Sequence, residues 1–299
     1  MASRKSETAN RQLRTSHQFA LADCARYLPA QLGPRDAADA QQLAVCARTV
    51  RVSLRTGVGS EGSDAAKTSV GESLVLVGAQ EGYRLWSRSY DCDLNPVVAL
   101  ERRVVRERLG PLSGRCFLDV ATGTGYWLNY ARSRGARVYG VDLSAEMLAE
   151  AASKPGLKER LIRANMSALP LEDQVADIAV CSLALGYVPS VRDLFRELAR
   201  VARRVSGRVI VSDLHELAIQ AGWRRCFKVE GREYQIEHFE HTAKELDEAA
   251  NGSGFRIDWR VTSYIGEPEL EIFVRSGRER AFAEASRVPA ILSTCWTRS

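Results

Sequence analysis

From Tyr83 onward, apolar and polar positions alternate between two periods, and the order of those periods predicts an α/β fold. Residues 96 to 109 have the spacing of an amphipathic helix, opened by Pro96, a favourable first helical residue. Cys116-Phe117-Leu118-Asp119-Val120 reads as a short apolar strand, and Tyr126 to Arg134 as a helix. Arg137 to Asp142 is a second strand. Ser144 is positioned to cap a helix carrying Met147, Leu148 and Ala151. Leu161 to Ala164 reads as a third strand, and Ala176 to Leu183, nearly continuous in apolar residues, as a fourth. Val191, Leu194, Phe195, Leu198, Val201 and Ala202 follow helical spacing, and Arg208 to Ser212 is a fifth strand. Strands apolar on both faces and separated by helices predict a parallel sheet covered by helices on both sides. After a helix near Thr242 to Ala250, Phe255 to Ile265 and Glu269 to Val274 read as two strands. Only Gly266-Glu267-Pro268 separates them, too little for a crossover, so they are expected to pair antiparallel.

The first third of the chain has a different texture. Residues 1–16 are polar and basic and are expected to form a disordered tail. Residues 17–75 read as a helical appendage, broken at Gly33-Pro34, followed by a linker rich in Gly and Ser. The main domain is then expected over 76–299, and the appendage is a candidate dimerisation element. The longest apolar run, Ile178 to Val188, is interrupted by Ser182 and Gly186 and is well short of the roughly 18 residues of a membrane span. The N-terminus lacks a secretory pattern, so a cytoplasmic location is expected.

Composition changes this picture little. Of 299 residues, 45% are apolar and 26% charged, as in ordinary globular proteins. The net charge of +5 reads as a solvated surface plus a basic tail, and no dense Lys/Arg block suggests a nucleic-acid partner. The seven cysteines are odd in number and lack a CxxC spacing, which argues against a disulfide framework or a structural zinc site.

Candidate chemistry lies between the first strand and the first core helix, in Leu118-Asp119-Val120-Ala121-Thr122-Gly123-Thr124-Gly125-Tyr126. Glycines there let a ligand approach the backbone, at the strand ends where α/β sheets hold their ligands. Asp142, at the end of the second strand, can accept both hydrogens of a ribose diol. Two features speak against a dinucleotide. Leu128 stands where the dinucleotide fingerprint needs a small residue. Tyr126 and Trp127 crowd the helix N-terminus that would face the phosphates. The carboxylate of Asp119 suits an ammonium group instead.

These residues, with Val141-Asp142-Leu143-Ser144, Leu169-Pro170-Leu171-Glu172-Asp173, Ala176-Asp177 and Glu197-Leu198-Ala199-Arg200-Val201, resemble the successive motifs of the class I S-adenosylmethionine-dependent methyltransferases. Within that family they resemble the ubiquinone/menaquinone-type small-molecule enzymes, over about residues 83 to 276. The resemblance implies a Rossmann-like seven-stranded sheet, mostly parallel, ending in an antiparallel hairpin, with S-adenosylmethionine as cofactor. It implies that Asp119, Ala121, Thr122, Gly123 and Gly125 cradle the methionine part and Asp142 the ribose. Leu143, Met147, Asn165 and Met166 would border the adenosine, Ser182 and Leu183 would end the fourth strand beside the sulfonium, and Tyr90 would cover the cofactor. Ala121 departs from the glycine many members carry there.

The acceptor is expected to be a small molecule, and the segment Leu214 to His241 supplies candidate lining in Trp223, Phe227, Tyr234 and Phe239. His215, just past the fifth strand, and then His238 are the candidate general bases. His238 and His241 lack a third ligand at a telling spacing, so no metal is expected. An RNA or protein methyltransferase, or an inactive partner subunit keeping the fold, are the alternative readings. The Asn/Asp-Pro-Pro-aromatic turn of base amino methylation is absent after the fourth strand, where Ser182-Leu183-Ala184-Leu185 stands.

Overall fold

The computed structural model describes residues 74–298, so the expected tail, the appendage and its proposed role in dimerisation lie outside the described residues, apart from Leu74 and Val75. The elements run β1 (Val75–Val77), α1 (Ala79–Tyr90), α2 (Pro96–Arg106), β2 (Cys116–Val120), α3 (Tyr126–Ser133), β3 (Arg137–Asp142), α4 (Ala145–Ala152) and β4 (Leu161–Arg163). They continue with β5 (Ile178–Ser182), α5 (Val191–Val201), β6 (Arg208–Leu214), α6 (Glu216–Gln220), β7 (Cys226–Val229) and β8 (Arg232–Ile236). The last are α7 (Ala243–Gly252), β9 (Phe255–Tyr264), α8 (Glu267–Arg275), α9 (Glu279–Ala285) and β10 (Pro289–Arg298).

Seven strands form one sheet in the order β4-β3-β2-β5-β6-β10-β9. The five from β4 to β6 are parallel, and β10 is antiparallel to both of its neighbours. Every residue of β2 is buried, as expected for a strand with helices on both sides. Alternate side chains of β2 feed two cores. Phe117 packs with Val105, Leu128 and Ile210 on the side of α2 and α3. Leu118 and Val120 pack with Leu194, Phe195, Leu198 and Trp296 on the side of α5 and α7. Each such side chain taken fully from water contributes about 1.5–3 kcal/mol.

Local signals account for the helix starts. The Asn95 side chain accepts from the Val97 and Val98 N–H groups just before Pro96. Ser144 accepts from Met147 N–H at 3.2 Å, and Ser190 caps α5 through Asp193 N–H.

The antiparallel pair is present, but its second strand is not residues 269–274. Those residues lie in α8, because the helix-starting chemistry of Gly266-Glu267-Pro268-Glu269 outweighs their apolar content. Pro268 occupies the first turn, and the Glu269 carboxylate reaches back to accept from Gly266 N–H at 3.0 Å. Glu269 also holds Arg103 of α2 through two bonds of 3.0 and 3.1 Å. The partner strand is β10, which returns after the excursion through α8 and α9 and inserts between β6 and β9.

A second, three-stranded sheet, β1-β8-β7, has no counterpart in the sequence reading, which treated residues 214–241 as one aromatic segment. It packs against α1: Trp86 stacks on Phe227 at 4.8 Å, and Ile236 sits against Gly82. Among the described residues, no helix is long and apolar enough to cross a membrane.

Candidate active site

The chain leaves β2 through a loop whose backbone is mostly left-handed. Ala121, Gly123 and Gly125 have φ of 59°, 53° and 79°. A left-handed alanine is uncommon, because glycine adopts this conformation without the steric cost that a Cβ brings. Gly125 is fixed for a second reason. A side chain there would approach Ala151 Cβ to 3.0 Å, where α4 crosses the start of α3. The Leu128 side chain that spoke against a dinucleotide packs on Gly140 of β3, where a Cβ would come within 2.4 Å of it.

Two carboxylates hold this loop. Asp119, fully buried, accepts from Thr122 Oγ1 at 2.7 Å and from Leu128 N–H. Burial pushes its carboxyl up to about 8, with smaller contributions from the charges of Asp142 and Glu101. Asp142 accepts from Gly123 N–H at 2.7 Å and Ser144 N–H at 2.9 Å, joining the loop to the start of α4. Burial raises its carboxyl too, against the lowering effect of those N–H groups.

A cavity of about 300 Å³ opens at the carboxyl ends of β2, β3, β4 and β5. Of the residues singled out in the sequence, Tyr90, Ala121, Gly123, Asp142, Leu143, Met147, Asn165, Met166, Ser182 and Leu183 line it. Asp119, Thr122 and Gly125 lie behind the lining and shape it from beneath.

His215 and His238 are not part of this lining. The His215 ring caps α6, its Nδ1 accepting from Leu217 N–H at 3.1 Å. Burial lowers its basicity. His238 lies beside Gly186, and burial and the nearby Arg225 lower its basicity likewise. His241, by contrast, is bonded through Nε2 to the Val188 carbonyl at 2.9 Å.

Tyr83, Tyr187 and Arg225, which the sequence did not single out, also belong to the site. Tyr83 and Tyr187, 104 residues apart, join hydroxyls at 2.7 Å and both line the cavity. Tyr83, Tyr90 and Leu183 also border a smaller chamber of about 60 Å³, walled by Trp86, Trp223, Phe273 and Arg225. Leu183 stands at this boundary with a left-handed backbone (φ 53°), held by its N–H to the Ser212 carbonyl at 2.7 Å. Arg225 pairs with Asp213 at the end of β6 and lies over the Tyr187 ring. Trp223 was among the candidate lining residues read from the sequence, and Asp213 directly follows the predicted fifth strand.

The helix α1 forms the lid, and a latch ties it to the loop. Asp91, just past α1, accepts from Thr124 Oγ1 and from Lys154 Nζ, each at 2.6 Å, and Lys154 also donates to the Thr124 carbonyl. Lys154 is 8% exposed, so it works largely out of water. Lys154→Met is expected to weaken cofactor binding about tenfold, the effect of losing about 1.4 kcal/mol of loop organisation. Calorimetric titration checks it, and an unchanged affinity in a less stable protein would reduce the latch to a structural clasp.

The sheet runs in this order, with an antiparallel strand inserted beside the fifth parallel one and a glycine loop over paired acidic residues, and this arrangement is shared with solved S-adenosylmethionine-dependent methyltransferases. Residues 118–211 match the methyltransferase domain family. The chain is similar to malonyl-[acyl-carrier protein] O-methyltransferase of Pectobacterium atrosepticum, 37% identical over 91 residues, which are 30% of this chain and 36% of that protein. It is also similar to demethylmenaquinone methyltransferase of Shouchella clausii, 30% identical over 128 residues, 39% of this chain and 54% of that one. The chain thus spans between about a third and about half of the length of these curated relatives. Among solved structures, an S-adenosylmethionine-dependent methyltransferase from Mesorhizobium loti superposes with a TM-score of 0.55 at 25% identity, over 68% of this chain and 100% of that one. Geranyl diphosphate C-methyltransferase from Streptomyces coelicolor A3(2), solved with S-adenosyl-L-homocysteine, shares the fold with a TM-score of 0.52 at 18% identity, over 68% and 79%.

The site's own features suit that cofactor. Above Gly123 the space is open where a side chain would stand, so a ligand can meet the backbone directly. The acidic groups below the cavity suit a cation and would repel a pyrophosphate.

Proposed function

We propose that this protein transfers the methyl group of S-adenosylmethionine to a small-molecule acceptor. The observation that carries the reading is the cavity itself, in which the Ala121–Gly123 loop, Asp142 and the Ser182–Leu183 corner converge from three strand ends under a tyrosine lid. In this reading the loop holds the methionine part over Asp119, and Asp142 accepts from the ribose diol. Leu143 and Met147 border the adenosine, with the Asn165 amide at the adenine edge beside Met166. The bound cofactor supplies a methyl group already activated on a sulfonium. What remains for the protein is to align the acceptor and exclude water, and proximity alone can account for most of such an acceleration. Tyr83, Tyr90 and Leu183 do this at the boundary between the cofactor cavity and the inner chamber, and that chamber takes the reacting end of the acceptor. We assign no proton transfer to His215 or His238, since neither reaches the cavity.

The test is methyl transfer from labelled S-adenosylmethionine to a panel of small aromatic and isoprenoid-like acceptors, with RNA and protein extracts alongside. Label entering only RNA or protein would overturn the acceptor class.

The buried acid of the loop gives a second expectation. Asp119 keeps its proton in the folded protein up to about pH 8. The unfolded carboxyl loses it near the ordinary value of about 4. Between these limits the folded state binds the extra proton, so this group makes stability fall as pH rises, by at most about 1.4 kcal/mol per pH unit. Asp119→Asn is expected to flatten the decline between pH 5 and 8, and saturating S-adenosylmethionine to shrink it by favouring the carboxylate. Urea unfolding at each pH measures it, and identical slopes in variant and wild type would refute it.

A further inference from the structure

One buried acid has no role in this scheme. Glu101, on α2, is 1% exposed. Its Oε1 accepts from Ser212 Oγ at 2.7 Å, and Ser182 and the Trp127 side chain also hydrogen-bond to it. Ser182 and Ser212 are paired neighbours near the ends of β5 and β6, and Ser182 lines the cofactor cavity. Glu101 therefore lies directly beneath the cavity floor, one side chain removed from it. The charges of Glu101 and Asp142 both raise the Asp119 carboxyl, which places three acids close together beneath the cavity.

None of the ion pairs among the described residues involves Glu101, Asp119 or Asp142. Arg102, the next residue along α2, carries its guanidinium over the Tyr126 ring at 3.7 Å, so its charge lowers the Glu101 carboxyl from a distance, by less than burial raises it, without forming an ion pair. Burying acids without a cation is costly, and burial raises the Glu101 carboxyl as it does the others. A site of this kind gains most from a ligand that brings positive charge. Asp119 answers an ammonium and Asp142 a diol, which leaves one acid in excess.

We propose that Glu101 is a specificity-determining residue that reads the charge on the donor's sulfur, so that the site prefers the cationic methyl donor to its neutral demethylated product. The inference rests on the methyltransferase reading. In the transfer, the carbon–sulfur bond breaks with its electron pair remaining on sulfur. The methyl carbon bonds to a lone pair of the acceptor, and the sulfonium becomes a neutral thioether. The acid beneath Ser182 then loses its counter-charge, which weakens the hold on the product and favours its exchange for fresh donor.

The experiment measures dissociation constants of the full chain for S-adenosylmethionine, S-adenosylhomocysteine and the charged amine analogue sinefungin. Glu101→Gln keeps the shape, leaves one oxygen to accept from Ser212 and an amide N–H that can donate to the Ser182 hydroxyl, and removes the charge. It is expected to weaken the two cationic ligands roughly tenfold, as for one charge interaction at an intermediate effective dielectric. The neutral product should be unaffected. Glu101→Asp, which keeps the acid, should retain most of the preference for cations. Ser212→Ala, which removes a hydrogen bond but no charge, should shift all three affinities alike. Equal shifts for all three ligands in Glu101→Gln, or none, would overturn the proposal while leaving the methyltransferase reading intact. A wild type that binds none of them would instead remove the reading on which the proposal stands.

Discussion

Asp142→Ala is expected to lose S-adenosylmethionine binding by a hundredfold or more. In the free protein the carboxylate accepts from Gly123 N–H and Ser144 N–H, so the substitution releases the glycine loop and the start of α4 together. It also removes the acceptor proposed for the ribose diol. Hydrogen bonds to a charged group contribute about 1.5–3 kcal/mol each, and two of them exceed the roughly 2.8 kcal/mol that a hundredfold change requires. Asp142→Asn keeps one acceptor oxygen and should fall between wild type and alanine. Calorimetric titration with S-adenosylmethionine and S-adenosylhomocysteine, with NADH as a control, decides the matter. Affinity retained in the alanine variant would remove Asp142 from the site, and a wild type preferring NADH would overturn the cofactor assignment.

Arg225→Met is expected to cost about 3–5 kcal/mol of stability, the range for breaking a buried ion pair on one side. Arg225 and Asp213 have side chains only 10% exposed, and their ion pair ties the end of β6 to the residue that precedes β7 of the small sheet. Methionine fills much of the volume but leaves Asp213 buried with only the N–H groups of Gly186 and Leu214 as donors. Adding Asp213→Leu should restore part of the loss, because the stranded charge disappears while those two N–H groups lose their acceptor. Urea unfolding of the single and double variants measures this. A single-variant loss under about 1 kcal/mol would mean that water reaches the pair in solution.

The parallel half of the fold and the cofactor loop were legible because their signals are local. Apolar strands, a serine cap at Ser144, a proline start at Pro96 and glycines between Leu118 and Gly125 each act within a few residues. The lining of the cavity followed from strand ends, and ten of the thirteen proposed cofactor residues line it, with Asp119, Thr122 and Gly125 behind. What stayed hidden depends on distant pairing. Nothing local announces that Lys154 reaches Asp91, or that Tyr83 meets Tyr187. Glu101 reads as one polar position on an amphipathic helix until Ser182 and Ser212 are brought against it. The reverse error occurred at residues 269–274, where Leu270, Ile272, Phe273 and Val274 suggested a strand but lie in a helix; His215, whose place after β6 suggested chemistry, caps a helix with its ring.

The insertion of β10 between β6 and β9 sets the order in which the sheet can be completed. During synthesis β9 emerges before β10, its neighbour in the described sheet, and it cannot pair with β6 in its final place because β10 will lie between them. Until residues 289–298 are in place, both β6 and the ten-residue β9 present open edges with unpaired backbone groups, the kind of surface that invites pairing with other chains. β10 closes two ladders at once, and its contacts with β6 bridge some eighty residues of chain, so a late, non-local step of the sort that slows folding is built into the topology. The same strand that marks the fold class therefore governs how long the nascent chain remains vulnerable to aggregation.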